Sequence, residues 1–136
     1  MNRTQIIQNI LDRNNGEKYL EIGVKDGLNF LSIKVHNYGI KIGVDPQFQI
    51  SKKNIILKSL INKYNLNAQY YETTSDEFFN IKIRTKLFDC IFIDGWHSYE
   101  QSLNDVINSL DRISEKGVIV LHDCYPPTSE YNKPEL

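Results

Sequence analysis

Apolar and polar positions follow two periods along the chain, and together they predict an alternation of strands and helices. Short apolar runs bounded by turn residues are typical of buried strands, and apolar residues three or four apart are typical of amphipathic helices. The predicted strands cover residues 18–24, 40–45, 68–72, 87–94 and 118–121. The predicted helices cover residues 4–13, 28–36, 52–64, 76–81 and 99–113.

Alternating strands and helices predict an α/β domain with a mostly parallel sheet and helices on both faces. The chain has 136 residues, enough for one domain with its own core, and we assign residues 1–136 to a single domain. Ligands of such sheets bind at the carboxyl ends of the strands, where the strand order switches. The chemically informative residues follow the predicted strands, so we expect a ligand site along that edge.

The loop after the first strand is one candidate for this site. Gly23 and Gly27 lie between a strand and a helix, and glycines let a backbone approach a bulky ligand closely. Glu21 precedes them, and a carboxylate there suits a cationic ligand group better than a pyrophosphate. Asp45 ends the second strand, where an acid can accept the two hydroxyl groups of a ribose.

A second candidate group follows the fourth and fifth strands. Asp94 ends strand four, and His122 and Asp123 end strand five. If these strands are neighbours, two carboxylates and an imidazole can hold a divalent cation that activates a substrate hydroxyl. The alternative is that Asp94 contacts a cofactor and Asp123 only caps a loop. His97 is the candidate general base, and orientation of a neighbour or metal ligation are its alternatives.

Several motifs resemble one known family. The E-x-G-x-x-x-G loop at residues 21–27 and G-V-D-P at residues 43–46 resemble the class I S-adenosylmethionine-dependent methyltransferases. F-I-D-G-x-H-x-Y-E at residues 92–100 and G-V-I-V-L-H-D at residues 117–123 narrow the resemblance to the Methyltransferase 24-type group, which includes macrocin O-methyltransferases and cephalosporin hydroxylase-like proteins. The resemblance implies a Rossmann-like three-layer sandwich with strand order 3-2-1-4-5, and S-adenosyl-L-methionine as cofactor.

The resemblance also implies residue roles. Thr74 and Ser75 follow strand three, where related enzymes contact the adenine ring, and a helix cap is the alternative for Ser75. In relatives that bind magnesium, acids end strands four and five, at the positions of Asp94, His122 and Asp123. Imidazole is a poorer magnesium ligand than carboxylate, so His122 suits manganese, iron or zinc better.

Composition and charge restrict the binding partners and the cellular compartment that we expect for this chain. The formal net charge of −1 gives no electrostatic reason to expect nucleic acid or an anionic membrane. No apolar run reaches the roughly 20 residues of a membrane span, and the first residues lack the apolar segment of a signal peptide. Cys90 and Cys124 do not have metal-finger spacing, and we expect no disulfide between them. These features predict a cytoplasmic protein.

The resemblance covers about residues 17–125, and the implied fold usually continues with a helix and two further strands. Residues 125–136 are too few and too rich in proline to supply them. We therefore expect a C-terminally short domain whose open edge at strand five pairs with a second copy, giving a homo-oligomer. The predicted function is a metal-assisted O-methyltransferase, with magnesium or manganese, acting on a sugar or another hydroxylated small molecule. The alternatives are a non-catalytic or partner-dependent S-adenosylmethionine-binding module and a nicotinamide-dependent oxidoreductase, against which Glu21 argues.

Overall fold

The structure is a computed structural model, and it describes residues 1–50, 67–81, 87–95 and 98–122. Several features predicted from the sequence lie outside these ranges. They are the helix over residues 52–64, the tail after residue 122, and the side chains of His97, Asp123 and Cys124.

A parallel sheet forms the centre of the fold. Its strands are β1 (Lys18–Ile22), β2 (Ile40–Asp45), β3 (Ala68–Glu72), β4 (Phe88–Ile93) and β5 (Ile113–Leu121). In the described part of the chain they form one sheet in the order β3-β2-β1-β4-β5, which confirms the predicted topology. After β3 the chain crosses to the other side of β1, so the strand order switches between β1 and β4. The carboxyl ends of these two strands therefore form the crevice where ligands of such sheets bind.

Helices cover both faces of the sheet. The described helices are α1 (Arg3–Asn14), α2 (Leu28–Ser32), α3 (Ser75–Asn80) and α4 (Tyr99–Leu110). The side chains of Asn2, Thr74 and Ser98 cap α1, α3 and α4 by accepting backbone N–H groups of the first turn. No helix within the described ranges is long and apolar enough to cross a membrane.

The core consists of two apolar layers, one on each face of the sheet. Successive residues of a strand point to opposite faces, and β1 shows the consequence. Tyr19 packs in the layer that includes Ile7 of α1 and Phe30 of α2. Leu20 packs in the layer that includes Phe78 of α3. The predicted three-layer sandwich is confirmed, and the face that holds Tyr19 is the α1 and α2 face.

Helix α2 is shorter than predicted because a buried lysine binds its carbonyl groups. The apolar pattern predicts a helix over residues 28–36, but the helix ends at Ser32 and Ile33 is extended. The amine of Lys41, on β2, donates to the carbonyl oxygens of Phe30 and Ile33 over 2.6 and 2.9 Å. The carbonyl of Phe30 also accepts the N–H of Ile33 over 3.4 Å, which closes the last turn of α2. The lysine amine thus satisfies carbonyls at the end of the helix, so the helix stops while the apolar periodicity continues.

Strand β5 is longer than predicted at its amino end. The sequence predicts a start at residue 118, whereas β5 begins at Ile113 and pairs there with Phe88. The pairing then shifts register before Cys90 aligns with Val118. The extra residues around Gly117 are accommodated by this irregularity, which the sequence pattern does not reveal.

Helix α4 buries a polar side as well as an apolar one. Leu103, Ile107 and Leu110 recur at helical spacing within the predicted helix 99–113, yet these side chains are 43, 51 and 60% exposed. Asp105 and Ser109 are buried instead. The orientation follows from polar contacts between α4 and α3, described below, which the apolar pattern cannot predict.

Candidate functional site

The glycine loop after β1 fits closely against the end of β4. Gly23 has φ of +86°, and its N–H donates to the carbonyl of Val44 over 2.8 Å. A Cβ at Gly23 would lie 2.1 Å from the carbonyl oxygen of Asp94. Gly27 has φ of +81° and precedes α2. A side chain at Gly23 is excluded both by its backbone conformation and by the neighbouring strand.

Glu21 lies buried beneath this loop. Its Oε2 accepts hydrogen bonds from the hydroxyl of Tyr19 over 2.7 Å and from the Nδ2 of Asn29 over 2.9 Å. Burial raises the pKa of Glu21 to about 7, although both hydrogen bonds and the nearby Lys41 and Arg3 oppose the rise. A ligand cation at this position would favour the ionised carboxylate. The role predicted for Glu21, binding the amine of the cofactor, remains a prediction.

Asp45 lies at the carboxyl edge of the sheet and also holds the glycine loop through hydrogen bonds. Its Oδ2 accepts from the backbone N–H of Lys25 over 2.8 Å, and its Oδ1 accepts from that of Gln47 over 2.9 Å. Lys25 has a positive φ of 55°, which this contact helps to hold. Each carboxylate oxygen has a second lone pair that can accept a hydroxyl hydrogen. The predicted contact with a ribose is compatible with these bonds and remains a prediction.

Asp94 lies at the end of β4 between two cationic or titratable side chains. Its side chain is 4% exposed, and its Oδ2 lies 3.0 Å from Nη1 of Arg3. Its Oδ1 lies 2.9 Å from Nδ1 of His122. That second contact is close, but its angles do not meet hydrogen-bond geometry among the described residues, so we treat it as an electrostatic contact.

Thr74 and Ser75 join the end of β3 to two helices. Thr74 Oγ1 accepts from the N–H of Glu77 over 3.2 Å and so caps α3. Ser75 donates from Oγ to Oδ1 of Asp105 on α4 over 2.6 Å, and Gln101 donates to the same oxygen over 3.1 Å. Burial raises the pKa of Asp105, and its two hydrogen bonds oppose this. These contacts favour a structural role for Ser75, and they leave its predicted contact with adenine untested.

The sheet brings the predicted site residues that the structure describes to one edge. Gly23 follows β1, Asp45 ends β2, and Asp94 follows β4. The N–H of His122, just after β5, donates to the carbonyl of Ile93 over 3.0 Å and so holds His122 beside the end of β4. His97 and Asp123 lie outside the described residues. The described part of the site is therefore a row of acids along the crevice between β1 and β4, extended by Asp45 on β2.

The predicted metal site is not supported by the described side chains. The guanidinium of Arg3 already places a positive charge 3.0 Å from Asp94 Oδ2. Within the ranges that the structure describes, no group of three or more His, Cys, Asp or Glu side chains could hold a metal ion. A divalent cation would have to compete with Arg3 for the Asp94 carboxylate. Asp123, the third predicted ligand, lies outside the described residues, and the described residues alone provide no metal site.

A separate cleft of about 440 Å³ lies at the opposite edge of the sheet. Its walls include Asp12, His36 and Gly39, and His36 Nε2 lies 3.0 Å from Asp12 Oδ1. None of the predicted site residues that the structure describes lines it. Because ligands of parallel sheets bind at the carboxyl edge, we place the functional site there and not in this cleft.

Two residues of the site, Arg3 and Asp105, are not indicated by the sequence pattern. Arg3 is one of three charged residues on an ordinary amphipathic helix, and nothing in its neighbourhood in sequence connects it with Asp94. Asp105 stands among the apolar residues of α4, and a carboxylate inside that periodic pattern is a usable but weak signal of a buried polar contact. Both contacts join residues that are distant in sequence.

A parallel sheet of this order, with a glycine loop and acids at its carboxyl edge, defines a Rossmann-like class I methyltransferase fold. The chain belongs to the Methyltransferase 24 family, since the family model, described as a methyltransferase domain, matches residues 20–124. Protein R132 of Acanthamoeba polyphaga mimivirus is 31% identical over 113 residues, which make up 77% of this chain and 50% of that protein. The chain thus spans about half the length of this curated relative.

Solved structures share the fold at low identity. O-methyltransferase TomG from Streptomyces achromogenes, in complex with SAM, has a TM-score of 0.75 at 11% identity, covering 96% of this chain and 63% of that chain. An O-methyltransferase from Bacillus cereus, in complex with SAH, has a TM-score of 0.66 at 19% identity, with coverages of 89 and 56%. N-methyltransferase NodS from Bradyrhizobium japonicum has a TM-score of 0.60 at 17% identity, with coverages of 88 and 65%. The fold alone therefore does not determine the acceptor atom.

Proposed function

We propose that this chain binds S-adenosylmethionine at the carboxyl edge of its sheet and transfers the methyl group to a hydroxyl of a small molecule. The observation that carries the proposal is the glycine loop at Gly23, which packs against the backbone of Asp94 at the switch in strand order. Glycines let a backbone approach a bulky ligand closely, and acids lie along the same edge of the sheet at Glu21, Asp45 and Asp94. Membership of a methyltransferase family supports the same conclusion.

The described residues suggest how each part of the cofactor would be held. Glu21 and Asp94 would attract the ammonium group of the amino-acid end, and Asp45 would accept hydrogen bonds from the ribose hydroxyls. Thr74 and Ser75 would lie beside the adenine ring. When bound, S-adenosylmethionine supplies a methyl group on a sulfonium, which a nucleophile displaces in line. The contribution of the protein is then to align the acceptor and to exclude water.

The acceptor hydroxyl must lose its proton during transfer. His97 is the proposed base, because a neutral imidazole can take a proton near neutral pH. This residue lies outside the described ranges, so the proposal rests on its position in the sequence, three residues after Asp94. We include no step through a metal, because the described side chains alone provide no group of three metal ligands.

Transfer of a labelled methyl group tests this proposal. The chain is incubated with S-adenosylmethionine carrying a tritiated methyl group and with separate panels of sugars, phenols and primary amines. We expect label in a hydroxylated acceptor and loss of transfer in Asp45→Ala. Transfer only to amines would contradict the O-methyl assignment. Cofactor binding without transfer to any acceptor would favour a non-catalytic binding module, and binding of NAD in its place would favour an oxidoreductase.

We also propose that two copies of the chain associate through the edge at β5. Among the described strands, β5 pairs only with β4. Val118 and Leu121 on this strand are 41 and 37% exposed, and Leu110 of α4 is 60% exposed. An apolar strand edge favours pairing with another strand. Sedimentation equilibrium should show a dimer that Val118→Lys weakens, and a monomer at high concentration would contradict the proposal.

A further inference from the structure

The first turn of α1 reaches the same edge of the sheet as the glycine loop. Asn2 and Gln5 form a reciprocal capping box, which fixes the start of the helix at Arg3. From there the guanidinium of Arg3 extends to Asp94, with 3.0 Å between Nη1 and Oδ2. The side chain of Arg3 is 44% exposed, whereas that of Asp94 is 4% exposed. The guanidinium therefore lies at the rim of the site, with the buried carboxylate behind it.

A second contact joins the same turn to the other acid of the site. Thr4 donates from Oγ1 to Oδ1 of Asn29 over 2.6 Å, and Asn29 donates from Nδ2 to Glu21 over 2.9 Å. Arg3 is also close enough to Glu21 to lower its pKa, although burial is the larger influence and raises it. The start of α1 is thus connected to both acids that lie on either side of Gly23.

The amino-acid end of S-adenosylmethionine carries an ammonium group and a carboxylate. Glu21 and Asp94 suit the ammonium group, but both repel the carboxylate. Lys41 is fully buried and donates to main-chain carbonyls of Phe30 and Ile33, so it is not placed to meet a ligand at the rim. A guanidinium has five N–H donors and can bind one carboxylate while it donates to another.

We propose that Arg3 binds the carboxylate of the amino-acid end of the cofactor while it remains paired with Asp94. The Arg3–Asp94 pair then presents a positive and a negative group side by side, which matches the two charges of the amino acid. This inference rests on the proposed function, since it assigns a residue to the cofactor of that reaction. It also gives α1 a direct part in binding, because the residue that meets the ligand belongs to its first turn.

The competing explanation is that Arg3 only fastens α1 to β4. Both explanations predict that Arg3→Gln weakens cofactor binding. They differ in whether the loss of affinity depends on the carboxylate of the ligand. We therefore compare three ligands: S-adenosylhomocysteine, its decarboxylated form 5′-(3-aminopropylthio)-5′-deoxyadenosine, and 5′-methylthioadenosine. The second lacks only the carboxylate, and the third lacks the whole amino-acid end. Isothermal titration calorimetry measures each affinity without any requirement for catalysis.

We expect Arg3→Gln to weaken S-adenosylhomocysteine binding by about tenfold or more, as for loss of a charged hydrogen bond. The affinity of the decarboxylated form should change by less than about threefold. Arg3→Lys should restore part of the loss, because it returns the positive charge without the planar geometry. Arg13→Gln is the matched control, since Arg13 lies in the last turn of the same helix.

Two outcomes would overturn the inference, and they are distinguishable. If Arg3→Gln weakens all three ligands equally, Arg3 only positions α1, and the proposed function stands. If the wild-type chain binds none of the three, the proposed function fails and this inference fails with it. Circular dichroism of each variant shows whether α1 still folds, and the Arg3→Lys comparison applies even if Arg3→Gln does not fold.

Discussion

Replacement of Gly23 by alanine tests the packing on which the site depends. The added Cβ would lie 2.1 Å from the carbonyl oxygen of Asp94 and 2.7 Å from Cα of Gly95, whereas ordinary contacts begin at 3.4 Å. Both neighbours are main-chain atoms, so the ends of β1 and β4 must separate. Two hydrogen bonds hold these residues in place and would be strained by the movement. The N–H of Gly23 donates to the carbonyl of Val44 on β2 over 2.8 Å, and the N–H of Asp94 donates to the carbonyl of Ile22 on β1 over 2.7 Å.

The loss of folding stability in Gly23→Ala can be worked out from the backbone strain and the lost hydrogen bonds. The positive φ costs a non-glycine residue roughly 1–2 kcal/mol, and loss of the two hydrogen bonds costs about 0.5–1.5 kcal/mol each. We therefore expect Gly23→Ala to lower the free energy of unfolding by roughly 2–5 kcal/mol, a large part of the total for a domain. Affinity for S-adenosylhomocysteine should fall as well, because the loop that approaches the ligand has moved.

Urea denaturation followed by circular dichroism measures the stability of this variant. Gly95→Ala is the matched control: its Cβ would meet Ile22 Cγ2 at 3.4 Å and Asp105 Oδ2 at 3.8 Å, which are ordinary contacts. We expect the control to change the free energy of unfolding by less than about 1 kcal/mol. If Gly23→Ala proves as stable as Gly95→Ala and binds the cofactor normally, the close packing of β1 against Asp94 is wrong.

Three further predictions concern charge. The pKa of Glu21 is about 7 when folded, against 4.5 as its ordinary value, so this residue should lower stability progressively as pH rises from 4.5 to 7. Linkage gives about 3 kcal/mol, and Glu21→Gln should reduce this slope in denaturation curves, although Asp105, whose pKa is also raised, contributes a slope of the same sign; an unchanged slope would refute the assignment. Lys41→Met should lower the free energy of unfolding by about 2 kcal/mol, because it removes the lysine hydrogen bonds to the buried carbonyls of Phe30 and Ile33, while the exposed-site control Lys116→Met should have little effect. Affinity for S-adenosylhomocysteine should be equal in EDTA and in Mn²⁺, since the described side chains alone provide no group of three metal ligands; tighter binding with Mn²⁺ would support a metal site.

The topology could be predicted because it follows from local pattern. Strand-like and helix-like segments alternate, and parallel strands with crossover helices are the consequence. The positions of Gly23, Asp45 and Asp94 follow from the same rule, because each comes directly after or at the end of a strand. Residues at the carboxyl ends of parallel strands meet at one edge whatever their distance along the chain.

Features that depend on distant contacts could not be predicted. The end of α2 is determined by Lys41, which lies on the next strand, and the apolar pattern continues past it. The buried side of α4 is determined by the bond between Ser75 and Asp105, thirty residues apart. The contact of Arg3 with Asp94 spans 91 residues. A periodic pattern reports only which residues share a face, and these three contacts depend on how separate elements pack.

Binding of S-adenosylhomocysteine to the folded wild-type chain is the decisive measurement for a cofactor site at the carboxyl edge of the sheet. Isothermal titration calorimetry should give saturable binding at one site per chain, and NAD should give none. The row of acids and glycines along the crevice between β1 and β4 predicts this preference. If circular dichroism shows a folded chain and S-adenosylhomocysteine produces no binding heat at several temperatures and no thermal stabilisation at millimolar concentration, the proposed cofactor site does not exist.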